Sequence, residues 1–316
     1  MAQAPASPPP AGRTVIGVDV GGTKIDVALA DAHGTVLDRV RLPTRAELGP
    51  DQALARVAEA VRRLGKTAGE RHGAPVGAWA AVCPGVIQDD HIQLTPNLPG
   101  WEELAVSARL ADEFGVPEVR VANDVRAGAL AELRFGALRG VGTGVYVSLG
   151  TGIAAALVVD GRVLSGAHQA AGEIGYTTPG DAPIDAVSAG RAPLEERVGG
   201  RALGQIAAAR LGTELSAEEL FRRTDPAARA LVHETLELLA RTLANLSVFV
   251  DPEAIAVGGG MMAAADVILP ALTGMVRAAT PFPPQLRPAR FLEDASLHGA
   301  IALAAESLVD QAAAVP

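Results

Sequence analysis

Apolar residues alternate with small or polar ones along residues 15–29, and the alternation breaks once, at Gly21-Gly22-Thr23-Lys24. Ile16, Val18 and Val20 share a face before the break; Ile25, Val27 and Leu29 share one after it. A period of two predicts two β-strands joined by a turn. A third strand is expected over residues 35–42. The period then lengthens: Leu54, Val57, Ala58, Val61 and Leu64 recur at helical spacing and predict a helix over 51–64. A buried strand over 76–82 runs into Cys83-Pro84-Gly85, and a short strand covers 119–122. Asn123-Asp124 opens a helix through Ala127, Leu130 and Leu133 towards Phe135. Strands alternate with helices, the signature of an α/β fold.

The opening pattern returns once. Residues 144–149 form an apolar strand that runs into Gly150-Thr151-Gly152. A strand over 153–159 follows, then an Asp160-Gly161 hairpin turn and a strand over 162–164. A duplicated hairpin is what two similar halves facing one cleft would produce. The rest reads as helical: 202–211, 217–224, a long helix over 226–249, and a last helix over 298–313. Between the last two lie a strand over 254–257 and Gly258-Gly259-Gly260, followed by an apolar helix.

Composition narrows the class. A chain of 316 residues is long for one core, so two domains are expected. The net charge is −9 and Lys/Arg residues do not cluster, which argues against nucleic acid as a partner. Cys83 is the single cysteine, so no intrachain disulfide and no thiolate zinc cluster can form. That fits a reducing, cytoplasmic setting. Residues 1–12 are rich in Pro and Ala and read as a disordered tail. No apolar run is read as long enough for a membrane span, the longest candidate being residues 153–159.

Several residues could carry chemistry. The two glycines of the first turn let a ligand approach the main chain, Thr23 adds a hydroxyl and Lys24 a charge. Asp19, just before the turn, could hold a metal ion or its water shell. The turn is a phosphate cradle or a plain tight hairpin, and its own residues do not choose between them. Gly150-Thr151-Gly152-Ile153-Ala154-Ala155 matches the loose dinucleotide pattern, but a strand follows where a helix is required. Gly258-Gly259-Gly260 could let a nucleotide lie against the backbone or pack strand closely on helix, and taken alone it favours packing. Asp124 is a natural helix N-cap, and equally a carboxylate at the end of a strand, where α/β proteins bind ligands. Glu173 and Glu195 lie in a Gly-rich connection and are either solvated loop charges or ligands.

The order of these signals is more specific than any one of them. Asp19-Val20-Gly21-Gly22-Thr23-Lys24, Pro84-Gly85, Asn97-Leu98-Pro99-Gly100-Trp101, Asn123-Asp124, Gly150-Thr151-Gly152, Gly172-Glu173-Ile174-Gly175, and Asp251-Pro252-Glu253 with Gly258-Gly259-Gly260 follow in turn. The string resembles the ROK family of repressors, open reading frames and sugar kinases, over nearly the whole chain. The resemblance implies an actin-like ATPase fold, two RNase H-like lobes around a central cleft. It implies a smaller N-terminal lobe over 13–123 with the C-terminal helix at about 300–316, and a larger lobe over 124–299.

Gly21, Gly22, Thr23 and Lys24 would then form the first phosphate loop and Gly150, Thr151 and Gly152 the second. Gly258, Gly259 and Gly260 would lie near the adenosine, and Mg²⁺ would arrive with ATP near Asp19. The sugar would meet Gly85, Asn97, Asn123, Asp124, Glu173, Tyr176 and Glu195, with Asp124 as catalytic base. A homodimer or higher homo-oligomer is the family's habit.

One departure stands out. Most of the family carries a zinc site between the two glutamates. Here the flanks and the interval from Glu173 to Glu195 are kept, but the His position holds Tyr176 and the three Cys positions hold Ala186, Ser188 and Pro193. No structural zinc is expected. A phenol is bulkier than imidazole and carries no positive charge near neutral pH, so Tyr176 leaves the sugar open. Arg126 stands where Asn is common, and Ala154-Ala155-Ala156 where glycines are common.

An ATP-dependent hexose kinase is the expected activity, with glucose as the default and an N-acetylhexosamine as alternative. Polyphosphate is an alternative donor. A sugar-sensing regulator would carry a helix-turn-helix before the first hairpin, where only the Pro/Ala-rich stretch stands. A non-catalytic sugar-binding protein would not need Asp124 and two phosphate turns.

Overall fold

The computed structural model describes residues 12–89, 91–95 and 97–313. The expected disordered tail lies outside these residues but for Gly12. In chain order the elements are β1 (Thr14–Val20), β2 (Lys24–Asp31), β3 (Val36–Pro43), α1 (Pro50–His72), β4 (Val76–Cys83), β5 (Val86–Ile87), β6 (Ile92–Gln93), α2 (Val106–Phe114), β7 (Arg120–Asn123) and α3 (Asp124–Phe135). There follow β8 (Gly144–Leu149), β9 (Ile153–Val159), β10 (Arg162–Val163), α4 (Glu195–Val198), α5 (Gly200–Leu211), α6 (Ala217–Arg222) and α7 (Pro226–Val250). The chain ends with β11 (Ala254–Gly258), α8 (Ala265–Ala279), β12 (Gln285–Pro288) and α9 (Ala295–Ala313).

The chain divides into two units. The first holds residues up to Phe135, Ser165–Ala170 and the chain from Asp294 on; the second holds Gly136–Leu164 and Ala171–Glu293. The boundary falls after Phe135 rather than after Asn123 because α3 packs on α9. The two units are similar in size.

In the first unit the sheet order is β3-β2-β1-β4-β7. β1 pairs antiparallel with β2, Thr14↔Asp31 through Val20↔Ile25, and parallel with β4. Ile16, Val18 and Val20 face α1 through Leu54, Val57, Val61 and Leu64. Val15, on the opposite face, joins Leu297, Ile301, Ala304 and Leu308 of α9. Covering on both faces makes β1 nearly all buried. Gly17 is required: a Cβ there would lie 2.9 Å from the Ile301 backbone nitrogen. α1 runs on past Leu64 because Ala68 continues its buried stripe, and it stops at Gly73 in the left-handed region.

The second unit repeats the plan. Its sheet order is β10-β9-β8-β11-β12, with β8 antiparallel to β9 and parallel to β11. Val145, Val147, Leu149, Ile255 and Val257 share a core with α7 and α8. The duplicated hairpin is thus a duplicated sheet. One reading of the apolar runs needs correction. Gly260–Ala279 is 20 residues long, with a mean hydropathy of 1.4, and so matches a membrane span by length and composition. Here it is a 3-10 turn followed by α8, which carries Pro270 and buries Ile268, Leu272 and Val276 in the core.

Candidate active site

In the first unit the parallel strands β1, β4 and β7 end side by side. Asp19 lies opposite Val82, and Cys83 opposite Asn123. The carboxyl ends of such strands are where open α/β sheets place ligands. Asp19 titrates at about 7: burial raises it first, then the charges of Asp124 and Asp26, against Lys24 and Arg39. Burial also raises Asp124, against a hydrogen bond from the Val125 N–H. Asp124 keeps an exposed face although protein atoms crowd it. The Asp124 charge is thus one of the causes that hold Asp19 protonated to a higher pH than an ordinary carboxyl.

The helix cap differs from expectation. Asn123, not Asp124, caps α3: its Oδ1 accepts the Arg126 backbone N–H at 2.8 Å. Asp124 occupies the first helical position, so its carboxylate is not spent on the usual capping bond.

The first turn is held from below. Gly21 N–H donates to the Lys24 carbonyl at 3.0 Å, and Thr44 N–H to the Thr23 carbonyl at 2.9 Å. The Thr44 hydroxyl donates to the Gly21 carbonyl, and Arg56 Nη2 donates to the Thr44 carbonyl. Thr23 and Lys24 stay exposed. Gly22 abuts Asn97, whose Cβ would lie 2.8 Å from a Cβ at Gly22. Gly85 adopts φ +98°, and a side chain there would meet the Gln93 carbonyl. The first unit therefore gathers Asp19, Gly21, Gly22, Thr23, Lys24 and Asn97 about one turn, with Asn123 and Asp124 two strands away in the same sheet. Thr44 and Arg56 were not expected from sequence; a buried Thr just after β3 is the only signal.

In the second unit Gly150 N–H donates to the Gly152 carbonyl at 3.0 Å. The Gly150 and Thr151 carbonyls accept N–H groups of Gly200 and Arg201 at the start of α5. Glu195 Oε2 accepts the Ile153 N–H at 3.0 Å, and a Cβ at Gly152 would collide with that carboxylate. Glu195, expected to face the sugar, thus also fastens the second turn. Tyr176 ends a 3-10 turn, Ile174–Tyr176. Its phenol titrates above its ordinary value, through burial first and then the charges of Glu173 and Glu195. These three side chains form one cluster. Gly259, at φ +90°, packs on the Leu149 carbonyl, whereas a Cβ at Gly260 would meet open space. So Gly258 and Gly259 serve close packing, and Gly260 is left on an open side.

The segment between Glu173 and Glu195 is held by backbone turns and ion pairs. Ala186 is buried and the Ser188 hydroxyl donates to the Asp185 carbonyl at 2.8 Å. Successive backbone turns run from Pro179 to Arg191. Arg197 pairs with Asp181, and Arg191 with Glu196. Neither Tyr176 nor Ala186, Ser188 or Pro193 offers the imidazole or thiolate that zinc takes. Among the described residues no group of three or more His, Cys, Asp or Glu side chains converges to hold a metal ion.

Two sheets of one RNase H-like order, each carrying a glycine turn after its first strand, define an actin-like ATPase fold. The profile of the ROK family matches residues 15–307, and the chain belongs to the ROK family. It is 31% identical over 299 residues to an N-acetylmannosamine kinase of Shigella boydii, covering 92% of this chain and 98% of that one. The crystal structure of a ROK hexokinase from Thermus thermophilus is similar at a TM-score of 0.78 and 30% identity, over 94% of this chain and 99% of that one. A ROK family glucokinase from Streptomyces griseus, in complex with glucose and AMPPNP, matches at a TM-score of 0.73 and 26% identity, over 93% and 99%.

Proposed function

We propose that this chain is an ATP-dependent sugar kinase in which Asp124 is the general base. The carrying observation is Asp124 itself. Its carboxylate stands at the end of β7, relieved of capping by Asn123, in the same sheet as the glycine turn that follows β1. A sugar hydroxyl is a weak nucleophile. Asp124 takes its proton as the oxygen attacks the terminal phosphorus of ATP, and ADP leaves. Such a base contributes about 10²- to 10⁴-fold.

Gly21, Gly22, Thr23 and Lys24 hold donor phosphates in the first unit, and Gly150, Thr151 and Gly152 do so in the second. Gly260 supplies the open backbone for the adenosine. Asp19 fits a divalent cation, because a cation relieves the burial and repulsion that lift its carboxyl to about 7. Asp19 would hold Mg²⁺ there, and the ion would supply neutralisation of phosphate charge. No zinc is part of this reading.

The acceptor is a hexose, glucose by default. Gly85, Asn97, Asn123, Glu173, Tyr176 and Glu195 offer it mixed donors and acceptors. The kinship with an N-acetylmannosamine kinase supports an N-acetylhexosamine as second acceptor class. We place the protein in the cytoplasm and expect a homodimer, on the family's habit alone. The test is a turnover screen of hexoses and N-acetylhexosamines, with ATP and with polyphosphate, alongside Asp124→Asn. Expected is ATP-dependent turnover of at least one sugar, reduced 10²-fold or more in the variant. Equal turnover in the variant removes Asp124 from the chemistry; no turnover on any sugar removes the kinase.

A further inference from the structure

Arg126 is a buried cation that the phosphoryl-transfer reading leaves unused. It is 7% exposed and lies one turn into α3. Its backbone N–H and its Nε both donate to Asn123 Oδ1, at 2.8 and 3.1 Å. Its Nη1 donates to Gln169 Oε1 at 2.7 Å. A guanidinium has donors and no acceptor. Both carboxamides must therefore turn their oxygens towards it and their NH₂ groups away. Among the described residues neither NH₂ has an acceptor.

Gln169 carries an independent sign. Its φ is +57°, a left-handed conformation that a glutamine keeps only under constraint. It belongs to Ser165–Ala170, a short segment that returns to the first unit between two stretches of the second. Gln88 Nε2 donates to the His168 carbonyl at 3.4 Å. The segment is thus fastened at two successive residues, once by a hairpin residue and once by Arg126.

We propose that Arg126 is the positioning residue of the acceptor site. It bridges Asn123 and Gln169, and presents their two NH₂ groups as paired donors beside the Asp124 carboxyl. Gln169 is then a substrate-binding residue. The ligand this pair selects is a polyol carrying two acceptor oxygens close to the hydroxyl that reacts. The inference rests on the kinase reading above.

The test uses the full chain and two variants. Gln169→Glu keeps an acceptor for Arg126 but deletes the NH₂ donor. Arg126→Lys keeps the charge but loses the fork that holds two carboxamides at once. Sugar KM, ATP KM and kcat are measured with amide hydrogen exchange over residues 165–170. In Gln169→Glu, sugar KM should rise about tenfold, the loss of one hydrogen bond to a hydroxyl, with ATP KM within about twofold and exchange unchanged. In Arg126→Lys, sugar KM should rise at least as far and exchange over 165–170 should quicken. An unchanged sugar KM in Gln169→Glu overturns the donor role. Unchanged KM and exchange in Arg126→Lys overturn the positioning role, and if that variant does not fold, Gln169→Glu decides. Wild-type turnover separates the two levels. No turnover on any sugar removes the kinase reading and this inference together; turnover with both variants at wild-type KM removes this inference alone.

Discussion

Asp19 and Asp124 show how little of an active group resides in its own side chain. Asp124 is a helix-start aspartate, a position usually spent on capping, and Asn123 relieves it of that duty. Asp19 is raised to about 7 by burial and by Asp124. The linkage to stability has a definite sign. Its folded value lies above the unfolded 3.8, so the folded protein binds the extra proton and is favoured at low pH. That contribution is complete below pH 3.8 and is lost as pH rises through about 7. Asp19→Asn cannot ionise and escapes the penalty. Its melting temperature relative to wild type should therefore climb between about pH 4 and 7 and stay level above, the whole effect being about 4 kcal/mol at most. A gap that shrinks with rising pH would sink the assignment. As a general base Asp124 works only when ionised, and burial holds its titration above the ordinary carboxylate range. Its sugar kcat/KM should fall with acid from a higher pH than a free carboxylate would give, which a pH–rate profile measures.

At the scale of elements, the first glycine turn is braced by Thr44, just after β3. Thr44→Val keeps the shape and removes the hydroxyl that meets the Gly21 carbonyl. One hydrogen bond is worth about 1 kcal/mol, so ATP KM should rise roughly fivefold while sugar KM stays put. An equal rise in both would mean a general loosening instead. The segment from Tyr176 to Pro193 gives a second test. Turns and exposed ion pairs hold it, so purified protein should carry no zinc by metal analysis and keep its melting temperature in chelator.

These elements also show where the sequence is readable. The hairpins of β1–β2 and β8–β9 were legible because apolar strand-length runs flank a glycine turn in each. α3 was legible in both of its bounds, since its buried stripe is long. α2 was not, because only Val106 and Leu110 of its residues are buried and no side chain caps it. β12 reads Gln-Leu-Arg-Pro and is an edge strand held by backbone pairing with β11, which leaves no periodic trace. The site followed the same rule. The candidate glycines and carboxylates stand in motif order, whereas Thr44 and Gln169 make contacts distant in the chain, which leave no local pattern.

On the scale of the whole molecule, α9 is the notable element. It covers the face of β1 and β4 that α1 leaves bare, and it packs on α3 at Ala127. The approach depends on Gly299, where a Cβ would lie 2.1 Å from the Ala127 carbonyl. Backbone atoms cannot yield as side chains do. Gly299→Val should cost about 3 kcal/mol or more in urea unfolding and lower activity by displacing α3. A variant as stable as wild type would mean that α9 seats less tightly than this contact requires.

The same helix sets an order of events during synthesis. Domains commonly fold as they emerge, the first before the next. Here the first unit lacks one face of its sheet until α9 is made, whereas the second unit is complete once Glu293 has left the ribosome. The half of the protein that is translated first finishes last. Through most of translation its bare apolar strands are customers for a chaperone, and stalled chains ending before Asp294 should bind one where the released protein does not.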